Sequence, residues 1–201
     1  MRFLNSLLIC VLLTSCASFY VHQTSYLEGA YRGYLFEDSR LNISVRPQNT
    51  VTTRQRDVVV VPIEQKFDVE ETLSSAPLGP SPFMIEVGFL QKEPLDLTID
   101  FSNVYLTLDG NKITLQQIRA LEPNHVDTSK FTIVPLNTPV SLSSVTSRSS
   151  LEWISFLLLF DTPIISPLVS FHMKPPTVYL GGEALQLIDW KFTNKERLQP
   201  R

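Results

Sequence analysis

The chain has 201 residues, of which 17 are lysine or arginine and 20 are aspartate or glutamate, giving a formal net charge of −3. This length suffices for one domain with a substantial hydrophobic core, and the acidic balance argues against a nucleic-acid partner. Its two cysteines are Cys10 and Cys16. The residues after position 16 therefore offer no disulfide, no thiol catalyst and no cysteine metal site.

The amino-terminal segment predicts export. Arg2 supplies a positive charge, and residues 3–13 form a mostly apolar run of eleven, which is the length expected of a signal-peptide core. A membrane-spanning helix requires about twenty apolar residues. The run therefore favours a targeting segment over a transmembrane helix.

The end of this run carries a short motif consisting of Leu13, Thr14, Ser15 and Cys16. An aliphatic residue, two small residues and a cysteine resemble the lipobox of bacterial lipoprotein precursors. The resemblance implies a leader over residues 1–15, cleavage before Cys16, and fatty acyl chains such as palmitate on that cysteine. Two or three such chains hold a protein on a bilayer without a transmembrane helix.

The residue after the cysteine bears on which membrane is expected. In enterobacteria-like lipoproteins an aspartate at that position favours retention in the inner membrane, whereas Ala17 stands there in this chain. The resemblance therefore implies lipid anchoring in the bacterial cell envelope, with the outer membrane favoured over the inner one. The folded domain is expected in the periplasm.

Two other interpretations of the leader stay open. Ser15, Cys16 and Ala17 also match the small-x-small pattern of ordinary secretory signals, and cleavage after Ala17 would release a soluble protein. An uncleaved signal anchor is the other alternative. The short apolar run and the lack of a flanking basic cluster argue against it.

Beyond residue 40, β-branched and aromatic residues alternate with polar ones, which predicts strands. The segment 153–160 is apolar on both faces, so it should be a central strand. The predicted strands are 41–45, 57–62, 83–89, 95–101, 104–108, 112–115, 131–134, 153–160, 169–173, 177–180 and 185–192.

Turn chemistry supports two hairpins in this pattern. Asp109 and Gly110 separate two alternating segments and tolerate the positive φ that tight hairpin turns require. Gly181 and Gly182 predict a turn before Leu185 rather than a phosphate-binding loop, since no helical pattern follows. The segment 115–121 is the helix candidate.

These elements predict an all-β fold, an antiparallel β-sandwich, with a β-barrel as the alternative. The segment 83–192 loosely resembles the immunoglobulin-like sandwiches of envelope lipoproteins. The predicted organisation is a lipidated terminus and tether over 16–40 and a sandwich domain over 41–201. Segments 18–40, 74–82 and 141–150 are expected to be loop-like, and 195–201 to fray.

Catalytic and cofactor chemistry is not indicated by the sequence. Motifs for a nucleophile elbow, a zinc helix or a phosphate loop do not occur, and no cofactor is expected. The three histidines, His22, His125 and His172, lack metal-ligand spacing. His125 and Asp127 form the best local pair for proton transfer or metal binding, although residues of a surface loop are the simpler interpretation.

Two further groups of residues have a composition that bears on function. Glu70 with Glu71, and Asp96 with Asp100, provide paired carboxylates of the kind that glycoside hydrolysis uses, but Asp96 and Asp100 fit the solvent-facing side of one strand better. A cluster of aromatic residues predicts either packing across the sandwich edge or a partner surface. The cluster consists of Phe19, Tyr20, Tyr26, Tyr31, Tyr34 and Phe36.

The preferred functional hypothesis is a non-enzymatic, lipid-anchored envelope protein that binds or supports another envelope protein. An enzyme or small-ligand carrier with a site dispersed over loops is the alternative, and a secreted soluble protein is the third. A deep pocket lined by His125, Asp127 or converging polar groups would favour the second hypothesis. A filled core would favour the first.

Overall fold

The computed structural model describes residues 17–29, 36–37, 39–57, 68–74, 82–121, 131–142 and 153–200. All elements in these ranges are strands, and every paired strand runs antiparallel to its neighbour. The strands are β1 (Ala17–Leu27), β2 (Phe36–Glu37), β3 (Leu41–Pro47), β4 (Val51–Asp57), β5 (Asp68–Ser74), β6 (Pro82–Gln91), β7 (Leu97–Asp100), β8 (Tyr105–Leu108), β9 (Asn111–Leu121), β10 (Phe131–Val134), β11 (Val140–Leu142), β12 (Trp153–Pro163), β13 (Phe171–Lys174), β14 (Thr177–Leu180), β15 (Glu183–Leu185) and β16 (Trp190–Pro200).

The large sheet has twelve strands, with the order β2-β3-β6-β12-β9-β8-β13-β16-β1-β4-β5 and β10 added beside β9. In a flat sheet the eight spacings from β3 to β4 would separate those strands by roughly 38 Å. The chain connects them through Gln48, Asn49 and Thr50 alone, a link that reaches at most about 15 Å. The sheet must therefore curl until its ends approach, and β3 contacts β1.

This geometry confirms the all-β, antiparallel prediction. The nearly closed large sheet corresponds to the barrel that the sequence left open beside the sandwich. The Asp109 and Gly110 hairpin is also confirmed, because both residues have positive φ, 49° and 79°, between the paired residues Leu108 and Asn111. Gly181 and Gly182 form a second turn of the same kind.

Strand β12 occupies the central position that its sequence predicts, with β6 on one side and β9 on the other. Phe156, Leu158 and Phe160 point into the core, while Leu157 and Leu159 are buried on the opposite face. Burial on both faces explains why the sequence of this strand is a continuous apolar run.

The helix prediction for 115–121 is wrong, because these residues belong to β9. The ladder with β12 skips one residue, since Leu159 pairs with Gln117 and Phe160 pairs with Leu115. Gln116 is the extra, bulged residue, and its Nε2 donates to Asp161 Oδ1 at 2.8 Å. A bulge places residues three apart on one face of a strand. Leu115 and Ile118 therefore lie on the same face with the i, i+3 spacing that is typical of a helix.

A second, four-stranded sheet, β11-β7-β14-β15, packs its buried residues into the same core. The chain passes from the large sheet to the small one through Pro175 and Pro176, which separate β13 from β14. Proline cannot donate to a strand ladder, so this pair interrupts the pairing where the strand leaves one sheet for the other. Residues 101–104 make the corresponding step between β7 and β8.

Aromatic rings fill the core. The rings of Phe171 and Phe192, which are cross-strand partners, stack with centroids 4.6 Å apart. Phe83 on β6 meets Phe171 edge-on at 5.4 Å, and Phe156 contacts Phe101 at 5.1 Å. Phe83 and Phe171 lie on strands four places apart in the large sheet, and Phe101 follows β7 of the small sheet, so aromatic rings from several sides pack together in the described interior.

Both ends of the described chain differ from the prediction. Strand β1 occupies 17–27, within the segment predicted to be loop-like, and β16 continues to Pro200, through residues expected to fray. The two strands pair from Phe19 with Pro200 to Leu27 with Phe192. Each provides backbone hydrogen bonds for the other, although alternation predicted no strand at 17–27 or at 193–200.

Several predicted segments lie partly outside the described residues, and one predicted strand is divided in two. Most of the strand predicted at 57–62 and most of the loops predicted at 74–82 and 141–150 lie outside the described residues. The strand predicted at 185–192 is divided, because β15 ends at Leu185 and β16 begins at Trp190.

Candidate functional site

The residues that the sequence singled out for lipidation or proton transfer, Cys16, His125 and Asp127, lie outside the described residues. His22 is paired with Arg197 on β16, and His172 is paired with Lys191 on the same strand. Arg197 and Lys191 are six residues apart on β16, which corresponds to roughly 20 Å along the strand. The fold therefore does not bring His22 and His172 together, and His172 is exposed to solvent.

The carboxylates of Asp96, just before β7, and Asp100, at its end, are not arranged across a cleft. Asp96 and Asp100 lie along one segment, on the side opposite the buried Leu97 and Ile99. Asp100 Oδ1 accepts a hydrogen bond from the Ser102 backbone N–H at 2.9 Å, so its local role is to shape the turn after β7. Glu70 and Glu71 are adjacent on β5, where Glu71 lies opposite Arg54 of β4.

The aromatic cluster of the amino-terminal segment is described in part. Tyr26, on β1, is half-buried. Phe19 and Tyr20 belong to the same strand and Phe36 belongs to β2. Tyr31 and Tyr34 lie outside the described residues, so the choice between edge packing and a partner surface stays a prediction.

A surface groove of about 250 Å³ lies where the start of β9 meets the turn before β8 and the link between β10 and β11. Phe101 and Val104 form its buried floor, and half-buried side chains of Tyr105, Leu115 and Leu136 form its walls. The exposed rim is polar and consists of Ser102, Asn103, Lys112, Thr114 and Asn137.

The groove is assembled by pairing between neighbouring strands. Tyr105 on β8 is directly opposite Thr114 on β9, and Thr107 is opposite Lys112. Lys112 is thus a diagonal neighbour of Tyr105 on the same face, and its Nζ lies 4.1 Å from the centroid of the Tyr105 ring. This cation–π contact holds the ammonium group beside the groove.

Lys112 differs from the nearby lysines in its ionic contacts. Lys174 Nζ lies 3.2 Å from Asp189 Oδ1, and Lys191 Nζ lies 2.7 Å from Glu28 Oε2. No carboxylate of the described residues forms an ion pair with Lys112. The groove therefore carries a positioned cation whose charge is not neutralised by the described part of the protein.

Sequence reasoning did not identify this groove. The Asp109 and Gly110 turn predicted that the strands containing Tyr105 and Lys112 would pair, which is the one local signal. The contributions of Phe101, Leu136 and Asn137 depend on how distant segments meet. None of these three residues belongs to a recognisable sequence motif.

The described ranges also bear on metal binding and on membrane crossing. No three histidine, cysteine, aspartate or glutamate side chains in them are grouped so that they could hold a metal ion. Nor do those ranges contain a helix with the length and apolar character needed to cross a membrane. Comparison of the chain with protein-family models, with curated proteins and with solved structures found no match.

Proposed function

We propose that this protein is a non-enzymatic, lipid-anchored protein of the bacterial cell envelope that binds another envelope component through the outer surface of its β-rich domain. The anchoring part of the proposal is supported by Leu13, Thr14, Ser15 and Cys16 after an apolar run of signal-peptide length. The binding part is supported by the packed interior.

The observation that carries the binding role is the aromatic packing of the core. Phe83 meets Phe171 across the curled sheet, and Phe171 stacks on its neighbour Phe192, in a place where ligand-carrying barrels have their cavity. A filled barrel can still recognise a partner through its loops, grooves and strand edges. Surface recognition is thus the mode that this architecture favours.

The start of β1 gives the proposal a geometric consequence. This strand begins at Ala17, one residue after the cysteine proposed to carry the lipid. An anchored protein would then have its β1 end held close to the bilayer, with little free chain between them. Ala17 in place of an aspartate supports the outer membrane as the location and the periplasm as the compartment of the domain.

Mass spectrometry of the mature amino terminus tests the anchor. The wild type should begin at Cys16 with the added mass of its acyl chains, whereas Cys16→Ser should lose both the acylation and the membrane association. Cys10→Ser is the matched control, since it removes the other thiol and should leave acylation intact. An unmodified terminus at Ser18 would refute the anchor and support ordinary secretion.

The small-ligand carrier is the second candidate, and the groove beside Lys112 is the observation that favours it. The groove has core residues only in its floor and an exposed polar rim, so it suits recognition of a small exposed group better than enclosure of a whole ligand. It is compatible with an envelope-binding role, because such a group could belong to a larger envelope component.

A further inference from the structure

We propose that the groove beside Lys112 binds a sugar ring that carries one anionic group, either a carboxylate or a phosphate. This inference deepens the proposed binding role by naming the chemistry that the surface recognises. It depends on three features that the structure brings together: an apolar floor, a rim of hydroxyl and amide groups, and one positioned cation.

The apolar part of the groove suits one face of a sugar. Phe101 and Val104 are buried beneath the groove, and Leu115 and Leu136 stand half-buried at its sides. The C–H groups of a pyranose ring form an apolar face that can pack against such side chains. Contact with the half-buried side chains of Tyr105, Leu115 and Leu136 would remove apolar surface from water, which favours binding in proportion to the area covered.

The rim supplies the polar complement. Ser102, Asn103, Thr114 and Asn137 are exposed and border the groove. Their hydroxyl and amide groups can each donate and accept hydrogen bonds, which is the requirement for hydroxyls around a sugar ring. Asn103 Nδ2 donates to Ser102 Oγ at 3.4 Å, a long contact that a ligand could replace.

Lys112 is the residue that would bind the anionic group of the ligand. The Tyr105 ring restrains its ammonium group 4.1 Å above the ring centroid, so less side-chain freedom is lost when an anion binds. The nearest described carboxylate in sequence, Asp109, belongs to the hairpin turn and forms no ion pair with Lys112. Asp100 accepts the hydrogen bond of Ser102 N–H and is not part of the groove lining.

Amide chemical-shift mapping on the purified full chain in a non-ionic detergent tests this site. The probes are glucuronate, glucose 6-phosphate and neutral glucose. The two anionic sugars should shift the amides of residues 102–105 and 112–114, and glucose should bind roughly fivefold to tenfold more weakly, because it lacks the charge-assisted hydrogen bond. The tighter of the two anions identifies the source as carboxylate or phosphate.

Two variants separate a specific site from general attraction to a cation. Lys112→Gln should abolish the preference for the anionic sugars over glucose. Lys191→Gln is the matched control, since it makes the same change of charge at a lysine already paired with Glu28, and it should leave the preference intact. Equal binding of glucose and the acidic sugars, an equal effect of the two variants, or no shift at these amides would overturn the proposal.

The result does not depend on the anchor. The groove is formed by β8, β9 and their connecting segments, so binding should persist in Cys16→Ser. An absence of acylation with a functioning groove would refute the anchor alone, whereas acylation without sugar binding would refute the groove alone.

Discussion

Asn49 and Ser25 form a reciprocal, buried pair at the point where the large sheet closes. Asn49 Nδ2 donates to Ser25 Oγ at 2.7 Å, and the Ser25 backbone N–H donates to Asn49 Oδ1 at 3.2 Å. The same Nδ2 donates to the Ile165 carbonyl at 3.0 Å. One side chain in the link between β3 and β4 therefore joins β1 to the segment after β12.

Asn49→Ala should lower the free energy of unfolding by about 2–4 kcal/mol, because it leaves the Ser25 N–H and the Ile165 carbonyl without this partner. Urea unfolding followed by tryptophan fluorescence measures the change. Asn103→Ala, at an exposed asparagine, should cost less than about 0.5 kcal/mol. Similar losses in the two variants would show that the Asn49 contacts do not stabilise the closure.

Gly88 is required because its surroundings leave no room for a side chain. A Cβ at this position would lie 2.8 Å from Ser44 Oγ and 2.9 Å from Trp153 Cε3, and Gly88 does not have a positive φ. Gly88→Ala should therefore destabilise the protein by about 1–3 kcal/mol through overpacking. Combining it with Trp153→Leu should recover part of this loss in a double-mutant cycle. Strictly additive effects would contradict the steric explanation.

Gly110 is required for its backbone conformation. Its φ is 79°, and an added Cβ would meet no atom within 4 Å, so Gly110→Ala should cost about 1–2 kcal/mol through the left-handed conformation alone. Asp109→Asn should change stability by less than about 0.5 kcal/mol, because asparagine also suits this turn. Equal unfolding midpoints for Gly110→Ala and the wild type would contradict the explanation that Gly110 is required for its positive φ.

The proposed anchor predicts a gradient of membrane proximity along β1. Asp57 pairs with Ala17 at the start of the strand, whereas Glu28 follows its end, roughly 36 Å away. Nitroxide labels at Asp57→Cys and Glu28→Cys in liposomes should differ: the first should be relaxed by lipid-soluble oxygen and the second by a water-soluble nickel chelate. Equal accessibility to the chelate would exclude an anchor close to this end.

Features encoded within a few neighbouring residues were predictable from the sequence. Alternation of apolar and polar residues predicted most of the strands, and the two-sided apolar run at 153–160 predicted the central strand. The positive φ tolerated by Asp109 and Gly110 predicted the hairpin. The lipobox resemblance also depends only on adjacent residues, and it stays a prediction.

Tertiary structure decided the features that depend on which segments meet. The bulge at Gln116 arises from pairing with β12 and converts an apparent helical spacing into a strand, while β1 and β16 become strands because each supplies the other's hydrogen bonds. Curling of the sheet and assembly of the groove follow from contacts between residues distant in sequence. Local periodicity and turn chemistry do not encode such contacts, because their free energy appears only when the distant partners are packed together.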